Sequence, residues 1–316
     1  MTKILITGGA GFVPSSLADK LLENPKYQVV CVDNFLTGAQ WKVPKHPNCK
    51  FIKCDVNKYD EIAAIMTSHN FDYVFHYAAV VGVKRTLDNP VLVLEDIQGI
   101  ENVLRLSKNT GVKRVFYSSS SEVYGEPVHL PQHEHTTPLN SRLPYAIVKN
   151  LGEAYCRSFK QEFNLDYTIL RFFNTYGPKQ STDFVMSKFI DAALRDEPIT
   201  IYGDGSQTRT FFYIEDNVEA TLSMLEENLV VNDVINVGND RISTIKELAE
   251  LIIKTTNSKS EIIYLPPLKE GDMSRRQPDV EKLKEILDRD FTLLEDGLSK
   301  VIEVRKAMMN NTLKTV

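Results

Sequence analysis

The stretch Lys3-Ile-Leu-Ile-Thr-Gly-Gly-Ala-Gly-Phe-Val13 opens the chain with a short apolar run that is followed at once by glycines. The run is typical of a buried β-strand, and a helix is predicted from about Phe12 through Leu22. Glycines in such a turn let the backbone approach a pyrophosphate closely, and the N–H groups that open the next helix face that anion. The stretch therefore predicts a strand, a tight turn and a helix that together bind a dinucleotide.

The segments that follow alternate between strand-like and helix-like patterns. Apolar runs typical of strands cover residues 28–33, 49–54, 71–79 and 114–118, and residues 91–109 have the spacing of an amphipathic helix. This alternation predicts an α/β fold with a doubly wound parallel sheet of the Rossmann type. Because the alternation is less regular from about residue 175, we expect a dinucleotide-binding domain in residues 1–174. A smaller α/β region that binds substrate is expected in residues 175–316, and the chain may cross between the two.

Asp33 ends the second predicted strand, where a dinucleotide fold places the carboxylate that accepts hydrogen bonds from the adenosine ribose. A carboxylate at this position would repel a 2′-phosphate, so Asp33 favours NAD over NADP. The alternative interpretation is that Asp33 only forms a turn before Asn34.

Tyr145 and Lys149 lie four residues apart, directly behind Pro144. Proline is favoured at the first position of a helix, and residues four apart on a helix share one face. A neighbouring ammonium favours an ionised phenol, so Tyr145 is predicted to act as a general acid or base near neutral pH. The alternative is an exposed tyrosine beside a solvated lysine. The serine run 118–121 favours catalysis, because it follows a predicted strand and open α/β sheets bind ligands at strand ends.

With these motifs in view, the chain resembles the extended short-chain dehydrogenase/reductase family, which contains nucleotide-sugar epimerases, dehydratases and decarboxylases. The resemblance runs over nearly the whole chain. It rests on Thr7-Gly-Gly-Ala-Gly-Phe-Val13, Asp33-Asn34, His76-Tyr-Ala-Ala79, residues 118–125, Tyr145-x-x-x-Lys149, Arg171-Phe-Phe-Asn-Thr-Tyr-Gly-Pro178 and Tyr202-Gly-Asp-Gly-Ser-Gln-Thr-Arg209. One position departs from the pattern, because Pro14 stands where the family usually has a third glycine. Proline is tolerated in a first helical turn, so we expect the helix and cofactor binding to persist with a shifted loop.

The resemblance implies that NAD is the cofactor and that it contacts the glycine turn and the ends of the following strands. The implied contacts are Gly8, Gly11, Phe12, Val13, Asp33, Asn34, Thr37, Gly38, Asp55, Val56, Tyr77, Ala78, Ala79, Ser118, Tyr145 and Lys149. His76 is interpreted as a packed strand histidine and not as a catalyst. The resemblance also implies that the helix at 91–109 and the helix of Tyr145 pack against a second subunit, so we expect a homodimer.

The catalytic residues implied by the resemblance are Tyr145, Lys149, Ser120 and Glu122. The family's shared first step is oxidation at sugar C4: Tyr145 takes the hydroxyl proton and Ser120 hydrogen-bonds the same oxygen. Lys149 keeps the phenol acidic and holds the nicotinamide ribose. The implied contacts to a nucleotide-diphosphate sugar are Ser121, Arg142, Asn174, Tyr202, Arg209, Arg275 and Arg276, with Lys269 and Asp272 close to the last two in sequence.

Glu122 is the best guide to the reaction that follows C4 oxidation. Ser120-Ser121-Glu122 is similar to the Thr-Ser-Glu motif of uridine diphosphate (UDP) glucuronate decarboxylases, and Arg142 matches an arginine seen in them, so this reaction is the preferred interpretation. A 4,6-dehydratase uses an Asp-Glu pair, and Ser121 replaces the aspartate here. A 5,6-dehydratase branch, however, shares with the decarboxylases both the motif at residues 120–122 and the arginine at position 142. A 4-epimerase requires no acid at Glu122. A sensor or scaffold that binds NAD without turnover is the non-enzymatic alternative, but it would have little need for Tyr145, Lys149 and Ser120 together.

Composition narrows the class of protein. The 316 residues are 42% hydrophobic and 25% charged, with a net charge of −5 and no basic patch, so neither nucleic acid nor a membrane is an expected partner. The four cysteines, Cys31, Cys49, Cys54 and Cys156, follow no zinc pattern and are expected to be free thiols in a reducing compartment. His133 and His135 lack further ligands nearby, so no metal is expected. No signal peptide is recognised before the first strand, and a cytoplasmic location is expected.

Overall fold

The computed structural model of the chain describes residues 1–267 and 275–313, and it is organised around a sheet of seven parallel strands. The strands are β1 (Thr2–Thr7), β2 (Tyr27–Asp33), β3 (Cys49–Lys53), β4 (Tyr73–His76), β5 (Arg114–Ser120), β6 (Asp166–Phe172), β7 (Thr175–Tyr176), β8 (Ile199–Tyr202), β9 (Thr208–Thr210), β10 (Phe212–Tyr213), β11 (Asp233–Val237), β12 (Ile242–Thr244) and β13 (Ile262–Leu265). The central sheet has the order β11-β6-β5-β4-β1-β2-β3. The predicted doubly wound parallel sheet is thus confirmed.

Helices cover both faces of this sheet. They are α1 (Phe12–Leu22), α2 (Tyr59–His69), α3 (Val83–Asp88), α4 (Pro90–Leu94), α5 (Asp96–Thr110), α6 (Pro144–Phe163), α7 (Val185–Ala193), α8 (Ile214–Glu226), α9 (Ile245–Thr256), α10 (Glu281–Leu287) and α11 (Leu294–Leu313). Side chains alternate across β1, so Ile4 and Ile6 pack into one core with α1, α8 and α9, whereas Leu5 packs into the other with α2, α5 and α6. Both faces are apolar, as parallel sheets require.

The region after residue 174 returns to the central sheet. β11 pairs in parallel with β6, with Val234 opposite Ile169 and Val237 opposite Phe172. The remaining strands of this region form two-stranded sheets: β7 with β10, β9 with β12, and β8 with β13. The chain therefore crosses between the two predicted regions.

Three predicted elements differ in detail. The strand predicted at 71–79 is confined to β4, because Tyr77 N and Ala78 N leave the sheet and donate to Thr7 Oγ1, each at 3.1 Å. The helix predicted at 91–109 is divided at Glu95 into α4 and α5. The sequence Ile242-Ser243-Thr244 predicts a helix cap at Ser243, but the Thr244 side chain accepts from Glu247 N and forms a capping box, so this prediction is wrong by one residue.

Within the described residues, none of the helices is long and apolar enough to span a membrane. The four cysteines are free.

Candidate active site

A cleft with a volume of about 810 Å³ lies at the carboxyl ends of the parallel strands, where the strand order reverses between β1 and β4. Open α/β sheets bind ligands at this position. Most predicted site residues line it: Gly8, Gly11, Phe12, Val13, Asp33, Asn34, Thr37, Asp55, Val56, Tyr77, Ala78, Ala79, Ser118, Ser120, Ser121, Glu122, Tyr145, Lys149, Asn174, Tyr202, Arg209 and Arg276. Gly38, Arg142 and Arg275 do not line the cleft, and the two arginines are exposed. Lys269 and Asp272 lie outside the described residues.

The glycine turn allows a close backbone approach at the floor of the cleft. Gly8 has a φ of +69°, and a Cβ at this position would lie 2.9 Å from Ala78 N. The turn is closed by Gly11 N, which donates to Gly8 O at 2.8 Å. α1 begins at Phe12 with Pro14 buried in its first turn. The helix therefore persists despite the proline, as predicted, and its first N–H groups face the cleft.

Asp33 is held at the end of β2 by two backbone donors. Its Oδ2 accepts from Ala10 N at 3.0 Å and its Oδ1 accepts from Phe35 N at 2.7 Å. Burial raises the pKa of Asp33, and these two hydrogen bonds act in the opposite direction. Gly38 closes the loop behind it, because a Cβ there would lie 2.8 Å from both carboxylate oxygens. Each oxygen retains a lone pair for a ribose hydroxyl, so the turn and Asp33 together fit an adenine dinucleotide.

Tyr145 and Lys149 lie on one face of α6, which begins at Pro144 as predicted. Lys149 Nζ is 5.7 Å from the centre of the Tyr145 ring and 5.4 Å from that of Tyr117. It donates to Ser118 O at 2.7 Å and to Ser118 Oγ at 3.3 Å. Ser118, Ser120 and Tyr145 line the same cleft. The phenol, the ammonium and the serine hydroxyls thus share one corner of the cleft.

Burial has the largest effect on the pKa values of Tyr145 and Lys149. Burial raises the pKa of Tyr145 well above its ordinary value and the charge of Glu122 adds to the effect, whereas the Ser120 hydrogen bond and Arg276 lower it. Burial lowers the pKa of Lys149 to about 8, and the charge of Asp96 acts in the opposite direction. The predicted role of Lys149 in keeping the phenol acidic stays a prediction. Further positive charge in the cleft would lower the pKa of Tyr145.

Glu122 forms an ion pair with Arg276 on the wall of the cleft. Glu122 lies in the 3₁₀ turn Ser121–Tyr124 that follows β5, and its Oε1 is 2.6 Å from Arg276 Nη2. The two side chains are only 15% and 10% exposed. Arg276 Nε is buried and has no hydrogen-bond partner within the described residues. The guanidinium therefore has a donor available for a ligand.

A buried network fixes the end of β5 against α6. Glu153 lies one helical turn beyond Lys149 and accepts from Ser119 Oγ at 2.6 Å. Its two oxygens also accept from Arg171 Nε at 2.8 Å and Nη2 at 2.7 Å. Sequence reasoning quoted Arg171 only as part of a motif and missed Glu153, whose one signal is the four-residue spacing from Lys149.

The other predicted substrate residues have mixed surroundings. Asn174 Nδ2 donates to Thr210 O at 3.3 Å, and Nη1 of the largely buried Arg209 donates to Thr208 O at 2.8 Å. Tyr202 is 46% exposed at the rim. Sequence reasoning did not single out Asp96, the first residue of α5, which also lines the cleft.

His76 and His135 contact side chains that have no role in the predicted chemistry. His76 Nδ1 lies 2.9 Å from Thr7 Oγ1, and burial lowers the pKa of His76 to about 3, so the prediction of a packed strand histidine is confirmed. His135 Nε2 lies 3.3 Å from Asp233 Oδ1. In the parts of the chain that the structure describes, no cluster of three or more potential metal ligands is found.

The parallel sheet, the glycine turn and the Tyr145–Lys149 pair define a dinucleotide-dependent enzyme of the short-chain dehydrogenase/reductase type. The chain belongs to the NAD dependent epimerase/dehydratase family, which matches residues 4–238. The predicted family, fold class and NAD cofactor are thereby confirmed.

Three known proteins show the range of this similarity. UDP-glucuronic acid decarboxylase 1 of Danio rerio is 36% identical over 314 residues, which cover 95% of this chain and 72% of that protein. UDP-glucose 4-epimerase of Thermotoga maritima, solved with UDP-glucose, has a TM-score of 0.92 at 34% identity and covers 98% of this chain and 100% of its own. UDP-glucuronic acid 4-epimerase of Bacillus cereus, solved with UDP-glucuronic acid and NAD, has a TM-score of 0.88 at 30% identity and covers 97% and 100%. The chain is thus a member of a nucleotide-sugar epimerase and decarboxylase group.

Proposed function

We propose that this enzyme is a UDP-glucuronate decarboxylase, which removes the C6 carboxylate of its substrate after oxidation at C4. The observation that carries the proposal is the Glu122–Arg276 ion pair beside Tyr145 and Ser120. A guanidinium binds a carboxylate through two parallel hydrogen bonds, and Arg276 Nε is a buried donor without a partner in the described residues. A neutral hexose offers no negative charge to this donor, whereas the C6 carboxylate of a glucuronate does.

The catalytic roles follow from this placement. Bound NAD would supply the acceptor for the hydride of sugar C4 and the donor that returns it at the end of the reaction. Tyr145 takes the proton of the C4 hydroxyl, and Ser120 donates a hydrogen bond to the same oxygen. Lys149 holds the nicotinamide ribose. Together with the hydride acceptor, these residues would convert the C4 alcohol to a ketone.

Loss of carbon dioxide then needs little further help. A carboxylate at C5 beside a C4 ketone belongs to a β-keto acid, so the bond between C5 and the carboxyl carbon breaks and its electron pair moves into an enolate. Arg276 holds the carboxylate until it leaves. A sugar carboxylate at Arg276 would lie beside Glu122, so we assign to Glu122 the delivery of a proton to C5 after carbon dioxide has left.

A 4-epimerase is the second candidate, and the structural similarity to the Thermotoga maritima and Bacillus cereus epimerases supports it. In this reaction the same C4 ketone turns over in the cleft and is reduced from the other face. A dehydratase is less well supported, because Ser121 offers a hydroxyl where a 4,6-dehydratase uses an aspartate beside the glutamate.

Product analysis separates the candidates. The enzyme is incubated with UDP-glucuronate and, in parallel, with UDP-glucose, and the products are measured by mass spectrometry and carbon dioxide release. We expect carbon dioxide and a UDP-pentose from UDP-glucuronate and no turnover of UDP-glucose. An isomer of unchanged mass would establish an epimerase instead, and a keto-sugar that has lost water would establish a dehydratase. Tyr145→Phe is the inactive control.

We also infer a cytoplasmic homodimer. Val91 and Leu94 on α4 and Ile147 on α6 are exposed apolar side chains, and Val91 is 70% exposed. The family resemblance pairs this face with a second subunit, and the free cysteines suit a reducing compartment. Size-exclusion chromatography with light scattering tests the dimer, and Ile147→Glu should shift the protein to a monomer.

A further inference from the structure

Asn236 is a buried polar residue that the proposed chemistry does not use. It lies near the end of β11 and is fully buried. A buried amide is costly unless its polar atoms have hydrogen-bond partners. Both polar atoms of the Asn236 side chain have partners, and these partners come from the two segments that carry Glu122 and Arg276.

The carbonyl oxygen of the Asn236 side chain holds the turn that carries Glu122. This Oδ1 accepts from the Tyr124 hydroxyl at 2.6 Å, and Tyr124 ends the 3₁₀ turn in which Glu122 lies. The hydroxyl is itself fixed, because it accepts from Arg171 Nη1 at 2.9 Å. At the start of the turn, Glu122 N donates to Ser120 Oγ at 3.2 Å. The turn is therefore anchored at both of its ends.

The amide nitrogen of the Asn236 side chain holds the segment that carries Arg276. This Nδ2 donates to Gln132 O at 2.8 Å and to Asp279 O at 3.3 Å. Gln132 also forms a backbone bridge to the segment: its N donates to Gln277 O at 2.8 Å, and its O accepts from Asp279 N at 2.9 Å. Gln277 directly follows Arg276 in the chain. The bridge therefore fixes the backbone from which the guanidinium enters the cleft.

We propose that Asn236 is a positioning residue that holds the Glu122 and Arg276 segments at the separation their ion pair requires, and thereby supports recognition of the sugar carboxylate. The proposal rests on the proposed function, which gives Arg276 the C6 carboxylate as its ligand. Glu122 and Arg276 are 154 positions apart, and one buried amide is hydrogen-bonded to both of their segments. A guanidinium binds a carboxylate through two parallel bonds only in a defined geometry, so a shift of the Arg276 segment weakens this contact first.

Hydrogen exchange tests the positioning without any ligand. Asn236→Ser removes the donor to the Arg276 segment, and exchange of the Gln132 and Asp279 backbone amides is followed by mass spectrometry of the full-length protein. We expect these two amides to exchange at least about tenfold faster in the variant, whereas exchange in β1 and β2 is unchanged. Acceleration below about twofold at Gln132 and Asp279, or an equal acceleration along the whole chain, would overturn the proposal.

Asn102→Ser is the matched control for this measurement. Asn102 is 3% exposed, its Nδ2 donates to two backbone carbonyl oxygens at 3.0 and 3.2 Å, and its Oδ1 accepts from Gln98 Nε2 at 3.0 Å. The substitution removes the same kinds of hydrogen bond on α5, away from the Arg276 segment. It should leave exchange at Gln132 and Asp279 within about twofold of the unmodified protein. Faster exchange there would show that the effect is not specific to Asn236 and would count against the proposal.

Ligand selectivity provides a second readout, which a purely structural role would not change. Every protein carries Tyr145→Phe so that UDP-glucuronate is bound but not consumed, and calorimetry with NAD present gives the affinities for UDP-glucuronate and UDP-glucose. Asn236→Ser should weaken binding of UDP-glucuronate about tenfold and that of UDP-glucose less than about twofold. Added to Arg276→Met, it should cause less than about twofold further loss, because both substitutions affect the same contact. Equal losses for the two ligands, or additive losses in the double variant, would overturn the proposal.

Tyr124→Phe decides the matter if Asn236→Ser does not fold. It removes the hydroxyl that fixes the Asn236 amide, whereas Arg171 Nη1 retains Glu134 O as an acceptor at 2.9 Å. It should weaken binding of UDP-glucuronate at least about threefold without changing that of UDP-glucose, and no loss or an equal loss for both would count against the proposal. If Arg276→Met itself leaves the affinity for UDP-glucuronate unchanged, the proposed carboxylate recognition has failed, and the exchange measurement alone decides the role of Asn236.

Discussion

Replacing Arg276 tests whether the Glu122–Arg276 pair recognises the negative charge of the C6 carboxylate of the sugar. In Arg276→Lys the positive charge is retained next to Glu122, but the planar fork that binds a carboxylate through two bonds is lost. In Arg276→Met both the charge and the fork are lost. The guanidinium is 10% exposed and contacts Glu122 at 2.6 Å, so solvent screens the interaction little.

The expected magnitude follows from the number of charged hydrogen bonds that are removed. A hydrogen bond to a charged group contributes about 1.5–3 kcal/mol, so loss of one from Arg276 Nε to the C6 carboxylate should lower kcat/KM for UDP-glucuronate about 10- to 150-fold. Arg276→Met should show a larger loss than Arg276→Lys, because Glu122 is then left without a partner. Weak residual binding of UDP-glucose, measured by competition, should change little in either variant.

The assay therefore compares two ligands in three proteins. Initial rates with UDP-glucuronate give kcat/KM, competition with UDP-glucose gives its affinity, and NAD content and circular dichroism show that each variant is folded. Equal losses for both ligands would refute the reasoning. Arg276 would then act on the diphosphate that the two ligands share.

Three further predictions concern the same cleft, and a fourth concerns the buried Glu153–Arg171 pair. Tyr145→Phe should lower turnover by at least about 100-fold while NAD content and melting temperature stay nearly unchanged, and retained activity would exclude the phenol from the chemistry. Glu122→Gln should stop carbon dioxide release yet permit reduction of bound cofactor by substrate; an unaffected variant would favour epimerisation. Because Lys149 loses its charge as pH rises through about 8, calorimetry should show NAD affinity falling over that range, and a constant affinity up to pH 10 would contradict this. Glu153→Gln should lower the free energy of unfolding in urea by about 3–5 kcal/mol, since it leaves the buried Arg171 guanidinium poorly compensated; a loss below 1 kcal/mol would show that the pair is dispensable.

Local patterns predicted the parts of the site that depend on nearby residues. The turn after β1, the helix start at Pro144 and the shared face of Tyr145 and Lys149 follow from glycine, proline and a four-residue spacing. Asp33 is the last residue of β2, as predicted. Its backbone donors lie in the turn that follows β2 and in the glycine loop.

Local patterns could not predict contacts between residues that are far apart in the sequence. Glu122 and Arg276 are 154 positions apart, so nothing near either residue indicates that they meet. The division between α4 and α5 lies next to Asp96, whose carboxylate bonds Val80 N across the cleft. The raised pKa of Tyr145 could not be predicted, because sequence shows neighbouring charges but not the depth of burial that raises the pKa most.

The pairing of β11 with β6 limits which parts of the chain can be removed or exchanged with those of a relative. A chain that stopped at residue 174 would leave the outer edge of β6 with unpaired backbone groups, a template for aggregation. The segment between β6 and β11 is therefore an insertion within one folding unit and not an independent carboxyl-terminal domain. Exchange of substrate preference between relatives would have to replace residues on both sides of β11, including Arg276, while β11 stays paired with β6.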